Sequence, residues 1–228
     1  MKTILSIILW LLSLVAVLIF TFAFFIFISF IQVKLIVPDN YILWIFKFPT
    51  AKLIFIYELY PMFIFFCLFN KDFRKSSIRF LKRHRKIFFP VFSIFNVILL
   101  YVIVTNVAVI TKDKIIDYSF HSPQGNIYSF KDIKTINTGL YGKKQYLGHS
   151  KGDFYYIIEL KDGTTIDLAE DGGTMKDEDL RFILERLDKQ FVQMGIPKKA
   201  STANFNYTKK NLDKIYTDKI RNILENTP

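Results

Sequence analysis

A strongly basic segment, residues 70–86, separates two apolar runs that each approach membrane-spanning length. It contains one acid, Asp72, and eight cations: Lys71, Arg74, Lys75, Arg79, Lys82, Arg83, Arg85 and Lys86. Short segments rich in Lys and Arg stay on the cytoplasmic side of a membrane and set the topology of the neighbouring spans. The segment therefore predicts a cytoplasmic loop in a multi-pass membrane protein, with the cations from Arg74 to Lys86 as topology determinants.

Apolar runs predict three transmembrane helices, at about residues 4–33, 53–69 and 87–110. The third run contains no Asp, Glu, Lys, Arg or His and is long enough to cross a bilayer. The first run is too long for a cleaved signal sequence, so we expect it to be retained as a span. Pro49 interrupts the chain before the second span. Residues 41–48 are interpreted as an interfacial or re-entrant segment, although residues 41–52 could also belong to the second span.

The order of spans and charges predicts the topology and the domain organisation. Residues 1–110 form the transmembrane region, with the N-terminus and residues 70–86 in the cytoplasm. Residues 111–228 are then expected to form an extracytoplasmic domain. A composition rich in Lys, Ile, Phe and Asn suggests a bacterium of low GC content, so we expect a bacterial plasma membrane.

The net charge of +11 is concentrated in the membrane region. Residues 1–110 contain 12 Lys and Arg against 3 Asp and Glu, whereas residues 111–228 contain 19 against 17. A nucleic-acid-binding protein needs a basic stripe on its soluble part, so nucleic acid is not an expected partner. The expected partners are the lipid bilayer, anionic lipid headgroups at the basic segment and an unidentified protein, with homo-oligomerisation left open. Cys67 is alone and lies in an apolar run, which favours a packing role.

The C-terminal domain is expected to have an α+β fold, with antiparallel strands followed by two amphipathic helices. Strand-like runs cover residues 114–122, 126–130, 132–141, 154–160 and 164–168, and Asp162-Gly163 between the last two predicts a hairpin. Apolar residues recur at helical spacing between Leu180 and Met194, and again between Leu212 and Leu224. Thr174 is the expected N-cap of the first helix. Residues 197–207 are expected to be a polar linker.

One stretch of this domain, ITKDKIIDYSF…GNIYSFKDIKTINTG…FYYIIELKDGTTIDL, resembles the pleckstrin-homology-like domains of uncharacterised bacterial membrane proteins. The resemblance covers residues 111–193. It rests on a strand pair, on the segment from Tyr128 to Ile133, and on a strand that ends in a Lys-Asp-Gly turn. It implies a β-sandwich capped by a helix, with no catalytic residues to carry over. Five strands are visible where that fold has seven, and the second helix is additional.

Within the membrane region, Glu58 is the candidate functional residue because ionisable groups inside a span are costly. The alternative is a carboxylate at the outer interface that pairs with Lys52 or Lys47. Asn96 lies at a similar height in the next span. A hydrogen bond between Asn96 and Glu58 is therefore expected to join the two helices.

In the soluble domain, the best metal candidates are Asp167, Asp171 and Glu178, which fall at positions 1, 5 and 12 of a calcium-loop spacing. Position 3 of that spacing is Ala169, so we expect no metal site. His121 and His149 are expected to lie on the surface. They would act together only if separate loops brought them into one cleft.

These observations favour a non-catalytic binding or accessory domain on a plasma-membrane anchor, with no cofactor. A subunit of an oligomeric transporter or channel that uses Glu58 is the first alternative. A membrane-anchored enzyme is the second alternative, and it would require His121, His149 and Asp171 to converge in one site.

Overall fold

A computed structural model describes residues 2–143 and 148–227. The helices are α1 (Lys2–Leu35), α2 (Leu59–Phe69), α3 (Lys71–Thr105), α4 (Leu180–Gln193), α5 (Phe205–Asn211) and α6 (Lys214–Glu225). The strands are β1 (Tyr41–Phe46), β2 (Val107–Thr111), β3 (Lys114–Asp117), β4 (Asn126–Ser129), β5 (Ile133–Leu140), β6 (Phe154–Leu160), β7 (Thr165–Asp167), β8 (Gly172–Thr174) and β9 (Lys198–Ala200). Short 3₁₀ helices cover Thr50–Glu58, Phe130–Asp132 and Met175–Asp177.

The chain divides into two compact units that are discontinuous in sequence. Unit 1 contains residues 1–36 and 49–105, and unit 2 contains residues 37–48 and 106–228. Unit 1 is helical, and unit 2 contains all nine strands of the described part. The chain therefore enters unit 2 after α1, leaves it before the second span and returns to it after α3.

Unit 1 contains three helical segments that are long and apolar enough to cross a membrane. Among the described residues these are Trp10–Leu35, Thr50–Phe69 and Lys71–Thr105. The expectation of three membrane-crossing helices is confirmed at this level of length and composition. The second segment begins directly after Pro49, because a 3₁₀ helix over Thr50–Glu58 leads into α2.

The basic segment is the first half of α3, so it is helical and not an irregular loop. A single residue, Asn70, separates α2 from α3. The Asn70 side-chain Oδ1 accepts hydrogen bonds from the backbone N–H groups of Asp72 (3.1 Å) and Phe73 (2.9 Å), as an N-cap does. Lys and Arg are good helix formers, so a high density of charge does not interrupt the helix.

Two apolar runs that were assigned to the membrane are strands of unit 2. Residues 41–48 are not re-entrant, because β1 pairs along Tyr41–Phe46 with β2. The third membrane helix ends at Thr105 and not at Ile110, because the β-branched run Val107–Thr111 forms β2. Both strands are apolar on their two faces, and such runs cannot be distinguished from buried helix by hydropathy.

Unit 2 contains two sheets that share one hydrophobic core. The first sheet has the order β4-β3-β2-β1-β8 and the second has the order β7-β6-β5-β9. Neighbouring strands are antiparallel except β5 and β9, which are parallel. The core includes Ile45 and Ile110 from the first sheet, Ile158 from the second, and Leu184 and Phe191 from α4. The predicted α+β class is therefore confirmed, with more strands than the sequence indicated.

The five strands expected in the C-terminal domain correspond to β3 through β7. The two expected helices correspond to α4 and α6. Residues 197–207 are not a simple linker, because they contain β9 and the start of α5. The N-cap of α4 is Asp179, whose side chain accepts a hydrogen bond from the N–H of Arg181, whereas the Thr174 hydroxyl donates to the carbonyl of Glu178.

Candidate functional site

A small hollow in unit 2, which we call the His149 pocket, is lined by several chemically versatile side chains. It has a volume of about 230 Å³. Its polar and aromatic lining residues are Lys47, Phe48, Tyr141, His149, Thr165, Asp167 and Glu170. They come from four places in the chain: the two residues after β1, the residue after β5, the following loop, and β7 with its connection to β8.

The ends of a glycine-bounded loop are held together beside this pocket. Tyr141 donates its N–H to the carbonyl of Asp153 (2.9 Å), and Gly152 donates to the carbonyl of Tyr141 (2.8 Å). Gly152 has a φ of 89°, and a Cβ atom there would lie 2.8 Å from the side chain of Tyr207. A residue with a side chain is therefore excluded at this position. This closure fixes Tyr141 at the base of the loop that carries His149.

The imidazole of His149 lies between two aromatic rings and a carboxylate. It stacks on Tyr141, with ring centroids 4.1 Å apart and an interplanar angle of 4°, and its centroid lies 5.6 Å from that of Phe48. Its Nε2 lies 3.3 Å from Oε1 of Glu170, and the side chains of His149 and Glu170 are 17% and 8% exposed. His149 is therefore largely buried and oriented, and the expectation of a surface histidine is wrong.

Asp167 is held at the same site by the backbone. Its Oδ1 accepts hydrogen bonds from the N–H groups of Tyr156 (2.9 Å) and Ala169 (3.0 Å). Burial raises the pKa of Asp167, although these hydrogen bonds, His149 and a hydrogen bond with Tyr141 oppose that increase. Burial also raises the pKa of Tyr141, together with the nearby charges of Asp167 and Glu170. The ionised form of Asp167 is thus incompletely compensated by the protein.

Lys47 is the lysine among the described residues of the pocket lining, and it is already paired. Its Nζ lies 2.7 Å from Oδ1 of Asp117, and the two side chains are 16% and 8% exposed. Burial raises the pKa of Asp117, whereas the hydrogen bond and charge of Lys47 lower it. Among the described residues, the pocket lining thus contains two carboxylates, Asp167 and Glu170, and a lysine that is already paired with Asp117.

The three metal candidates from the sequence do not form a metal site. Oδ1 of Asp167 accepts two backbone hydrogen bonds, and Glu178 is paired with Arg186 through both carboxylate oxygens, at 2.5 and 2.7 Å. Asp171 is exposed. Across residues 2–143 and 148–227, no group of three or more His, Cys, Asp and Glu side chains is placed to hold a metal ion.

The residues expected to converge for catalysis lie in different surroundings. His149 lies in the pocket described above, but neither His121 nor Asp171 is among the residues that line it. His121 is exposed and packs edge-on against Phe120, with ring centroids 5.1 Å apart.

Polar residues inside unit 1 are paired differently from the expectation. Oε1 of Glu58 accepts a hydrogen bond from the Thr21 hydroxyl of α1 (3.1 Å) and not from Asn96. Asn96 instead accepts a hydrogen bond at Oδ1 from the Tyr60 hydroxyl (2.6 Å), and its own amide donates to the carbonyl of Phe92. The alternative partner Lys47 belongs to unit 2, where it pairs with Asp117. The Thr21–Glu58 and Tyr60–Asn96 hydrogen bonds connect neighbouring helical segments.

Sequence reasoning missed Lys47, Phe48, Tyr141 and Glu170 as pocket residues. One available signal was the pair of glycines, Gly142 and Gly152, that bounds the loop between Tyr141 and Asp153. No comparable signal connected this loop with Lys47, because β1 had been assigned to the membrane.

Comparisons with known proteins add no assignment for this fold or this site. No protein-family model matches the chain, and no curated protein or solved structure shows significant similarity to it.

Proposed function

We propose that this chain is a multi-pass protein of a bacterial plasma membrane that presents unit 2 outside the cytoplasm as a non-catalytic binding or accessory module. In this proposal the His149 pocket is the ligand site, and its ligand is a small cationic group such as an amine or a quaternary ammonium. The observation that carries it is the pair of carboxylates, Asp167 and Glu170, that line the pocket together with the aromatic rings of Phe48 and Tyr141.

Chemistry supports a cationic ligand. A cation within about 6 Å of an aromatic face is attracted to the ring by roughly 0.5–2 kcal/mol, depending on desolvation. Burial raises the pKa of Asp167, so a bound cation would stabilise the ionised carboxylate that the protein itself compensates only in part. Glu170 is 8% exposed at its side chain and would add a charge-assisted contact.

The pairing of β1 with β2 supports the proposal that unit 2 lies outside the cytoplasm. β1 precedes the second membrane segment and β2 follows the third, yet Phe46 and Val107 are direct partners in one antiparallel ladder. This pairing supports a topology in which both ends of residues 49–105 lie on the same side of the membrane, with an even number of crossings between them. Two crossings place the basic segment on the opposite side from unit 2, and the positive-inside rule makes that side cytoplasmic.

The pleckstrin-homology-like resemblance is kept as a proposal for unit 2. It is supported by the five-stranded and four-stranded sheets that share a core with α4. β1 and β2, which complete the first sheet, fall outside or at the edge of residues 111–193, where the resemblance was found.

The ligand proposal is tested with the full chain in detergent and tetramethylammonium chloride as the probe. Thermal stability is measured against sodium chloride at equal ionic strength. A ligand that binds only the folded state stabilises it by RT ln(1 + [L]/Kd), so we expect stabilisation that rises with probe concentration. Replacing Glu170 with Gln should weaken binding by about tenfold, the equivalent of ~1.4 kcal/mol.

The matched control is Glu159→Gln, because Glu159 is a partly exposed carboxylate paired with Lys134 on the second sheet. It should leave the response to tetramethylammonium unchanged. Equal stabilisation by sodium and tetramethylammonium, or an equal loss in both variants, would refute the cationic ligand.

Sidedness is tested separately, with a membrane-impermeant maleimide on intact cells of a Cys67→Ser background. A cysteine at Ser201 in unit 2 should be labelled, and a cysteine at Ser76 in the basic segment should be labelled only after permeabilisation. The reverse pattern would show that unit 2 is cytoplasmic.

A further inference from the structure

The helix α3 is too long to be a simple membrane span. Its 35 residues would extend over ~52 Å if straight, whereas the hydrocarbon core of a bilayer is about 30 Å thick. The apolar part from Ile87 to Thr105 accounts for ~28 Å of that length. The basic part, residues 71–86, accounts for a further ~24 Å.

Contacts with α2 show that α3 is bent. Both helices meet at Asn70, and the Tyr60 hydroxyl donates a 2.6 Å hydrogen bond to Oδ1 of Asn96. Along the helices, Tyr60 lies ~15 Å from Asn70, and Asn96 lies ~39 Å from it if α3 is straight. Together, the two side chains and their hydrogen bond span roughly half of the difference between these two distances. A straight α3 therefore cannot make the observed contact.

Further contacts of α2 lead to the same conclusion. The ring of Phe73, in the first turn of α3, lies 5.6 Å from Phe63 and 5.9 Å from Phe66, while Phe92 lies 5.5 Å from Tyr60. The short helix α2 thus contacts α3 at positions that would be ~28 Å apart on a straight helix. Pro90 lies inside α3 and is a sufficient cause, since an internal proline removes a hydrogen bond and kinks a helix.

The basic part of α3 has two chemically distinct faces. At 100° per residue, the eight cations centre on one side, and Phe73, Ser77, Phe80 and His84 lie on the opposite side. All eight cations are exposed. Phe80 is 54% exposed within the protein, and a hollow of about 570 Å³ runs from Phe80 and His84 to Val91 and Phe95. Among the described residues, that hollow is lined by α3 alone.

We propose that residues 71–86 form an interfacial helix that lies along the membrane surface and binds the headgroups of anionic phospholipids. The aromatic face with Phe80 and His84 covers the headgroup–acyl boundary, and the cationic face contacts phosphate groups. Each cation near an anionic surface contributes about 1 kcal/mol, and an amphipathic helix with this division of faces lies in the interface plane. The proposal does not depend on the ligand of the His149 pocket.

The first experiment measures the bend. In a Cys67→Ser background, spin labels are placed at Arg74→Cys and Val97→Cys, and the full chain is reconstituted into nanodiscs. A straight helix separates these positions by ~34 Å, and the bent helix should give a clearly shorter distance. A distance at the straight-helix value would overturn the proposal.

The second experiment measures depth and lipid preference. A fluorophore at Ser77→Cys, on the aromatic face, is compared with one at Lys75→Cys, on the cationic face, using lipids that carry a quencher on the acyl chain. In vesicles that contain phosphatidylglycerol we expect several-fold stronger quenching at position 77 than at position 75. In purely phosphatidylcholine vesicles, or in high salt, the difference should shrink.

Charge variants separate recognition of anionic lipid from simple apolar insertion. The test variant neutralises three cations of the helix: Lys75→Gln, Lys82→Gln and Lys86→Gln. The control variant neutralises three lysines of unit 2 whose side chains are 60–64% exposed, Lys134→Gln, Lys161→Gln and Lys189→Gln. With the fluorophore at position 77, quenching in the test variant should no longer depend on phosphatidylglycerol, and quenching in the control variant should still depend on it.

Two outcomes would refute the proposal. Weak quenching at both positions in every lipid would mean that the helix projects into water, where a soluble polyanion would be its partner. Strong quenching at position 77 that does not depend on phosphatidylglycerol would mean that the apolar face alone holds the helix, without recognition of anionic headgroups.

Discussion

Replacing Lys198 with Met should destabilise unit 2 strongly, because Lys198 is the centre of a buried polar network. Its side chain is 0% exposed, and its Nζ lies 2.5 Å from Oδ1 of Asp188, which is 1% exposed. Nζ also donates to the carbonyl oxygens of Ile223 (2.5 Å) and Asn226 (2.8 Å). Asp188 accepts further hydrogen bonds from the Tyr156 hydroxyl and the Asn226 amide. The network therefore joins β6, β9, α4 and the end of α6.

The expected magnitude follows from what the substitution leaves behind. Met occupies a similar volume but removes the positive charge, so Asp188 becomes a buried carboxylate with only neutral partners. Breaking a buried pair in this way costs about 3–5 kcal/mol. A destabilisation of that size lowers Tm by roughly 10 °C in a domain of this length. Burial already lowers the pKa of Lys198, which shows that desolvation opposes the charged lysine and that Asp188 is needed to retain it.

The assay is thermal and urea unfolding of the full chain in detergent, followed by the fluorescence of Trp44 in a Trp10→Phe background. Trp44 is 4% exposed in β1 and reports on unit 2. Lys199→Met is the matched control, since Lys199 is the next residue of β9 and is exposed; surface changes of this kind are usually within 0.5 kcal/mol. The double variant Lys198→Met/Asp188→Leu should recover much of the loss, because it removes both charges.

Equal effects of Lys198→Met and Lys199→Met would refute this reasoning. So would a double variant that is as unstable as the sum of its single variants, because the loss would then come from packing and not from an uncompensated charge.

Three further outcomes follow from other contacts. Gly172→Ala should cost about 1–3 kcal/mol by unfolding, because a Cβ atom there would lie 1.9 Å from the backbone oxygen of Trp44 and would separate β8 from β1. Arg186 lowers the pKa of Glu178 through a paired contact on a partly exposed side chain, so Glu178→Gln should cost less than ~1 kcal/mol at neutral pH. The difference in stability between the Glu178→Gln variant and the unchanged protein should disappear as the pH falls through the lowered pKa of Glu178, because its carboxyl is then protonated as well. Unfolding measured as a function of pH tests this. Asn96→Leu should weaken the thermal stability of unit 1 in detergent by ~0.6–1.7 kcal/mol, since it removes the acceptor of a tyrosine hydroxyl on α2.

Sequence patterns predict an element correctly where its hydrophobic periodicity matches its surroundings in the fold. β3 through β7 alternate or carry turn signals such as Asp162-Gly163, and α4 and α6 have apolar residues on one face. In these elements one side contacts the core and the other contacts water, so periodicity is visible. The prediction missed β1 and β2 for the opposite reason: their residues are buried on both faces, and a membrane span has the same composition.

The pocket and the buried network were harder to predict because each depends on contacts between distant segments. Lys198-Lys199 looks like a solvated pair, and only the parallel pairing of β9 with β5 places Lys198 inside the domain. His149 likewise has no distinguishing neighbours in sequence. Its partners Phe48 and Glu170 reach it through β1 and β8, which are adjacent in the first sheet. Pairing partners that are far apart in sequence leave no local signature.

The position of β1 also makes the folding of unit 2 dependent on the helical segments of unit 1. β1 lies between β2 and β8 in its sheet, and both partners are synthesised after residues 49–105. The connection from α3 to β2 is short, because α3 ends at Thr105 and β2 begins at Val107. Two hydrogen bonds join the residues next to these strands: the N–H of Lys47 donates to the carbonyl of Asn106, and the side-chain amide of Asn106 donates to the carbonyl of Lys47. A central strand of unit 2 thus precedes residues 49–105, whose helices are long and apolar enough to cross a membrane, so residues 106–228 alone would lack an interior strand and expose the edges of β2 and β8.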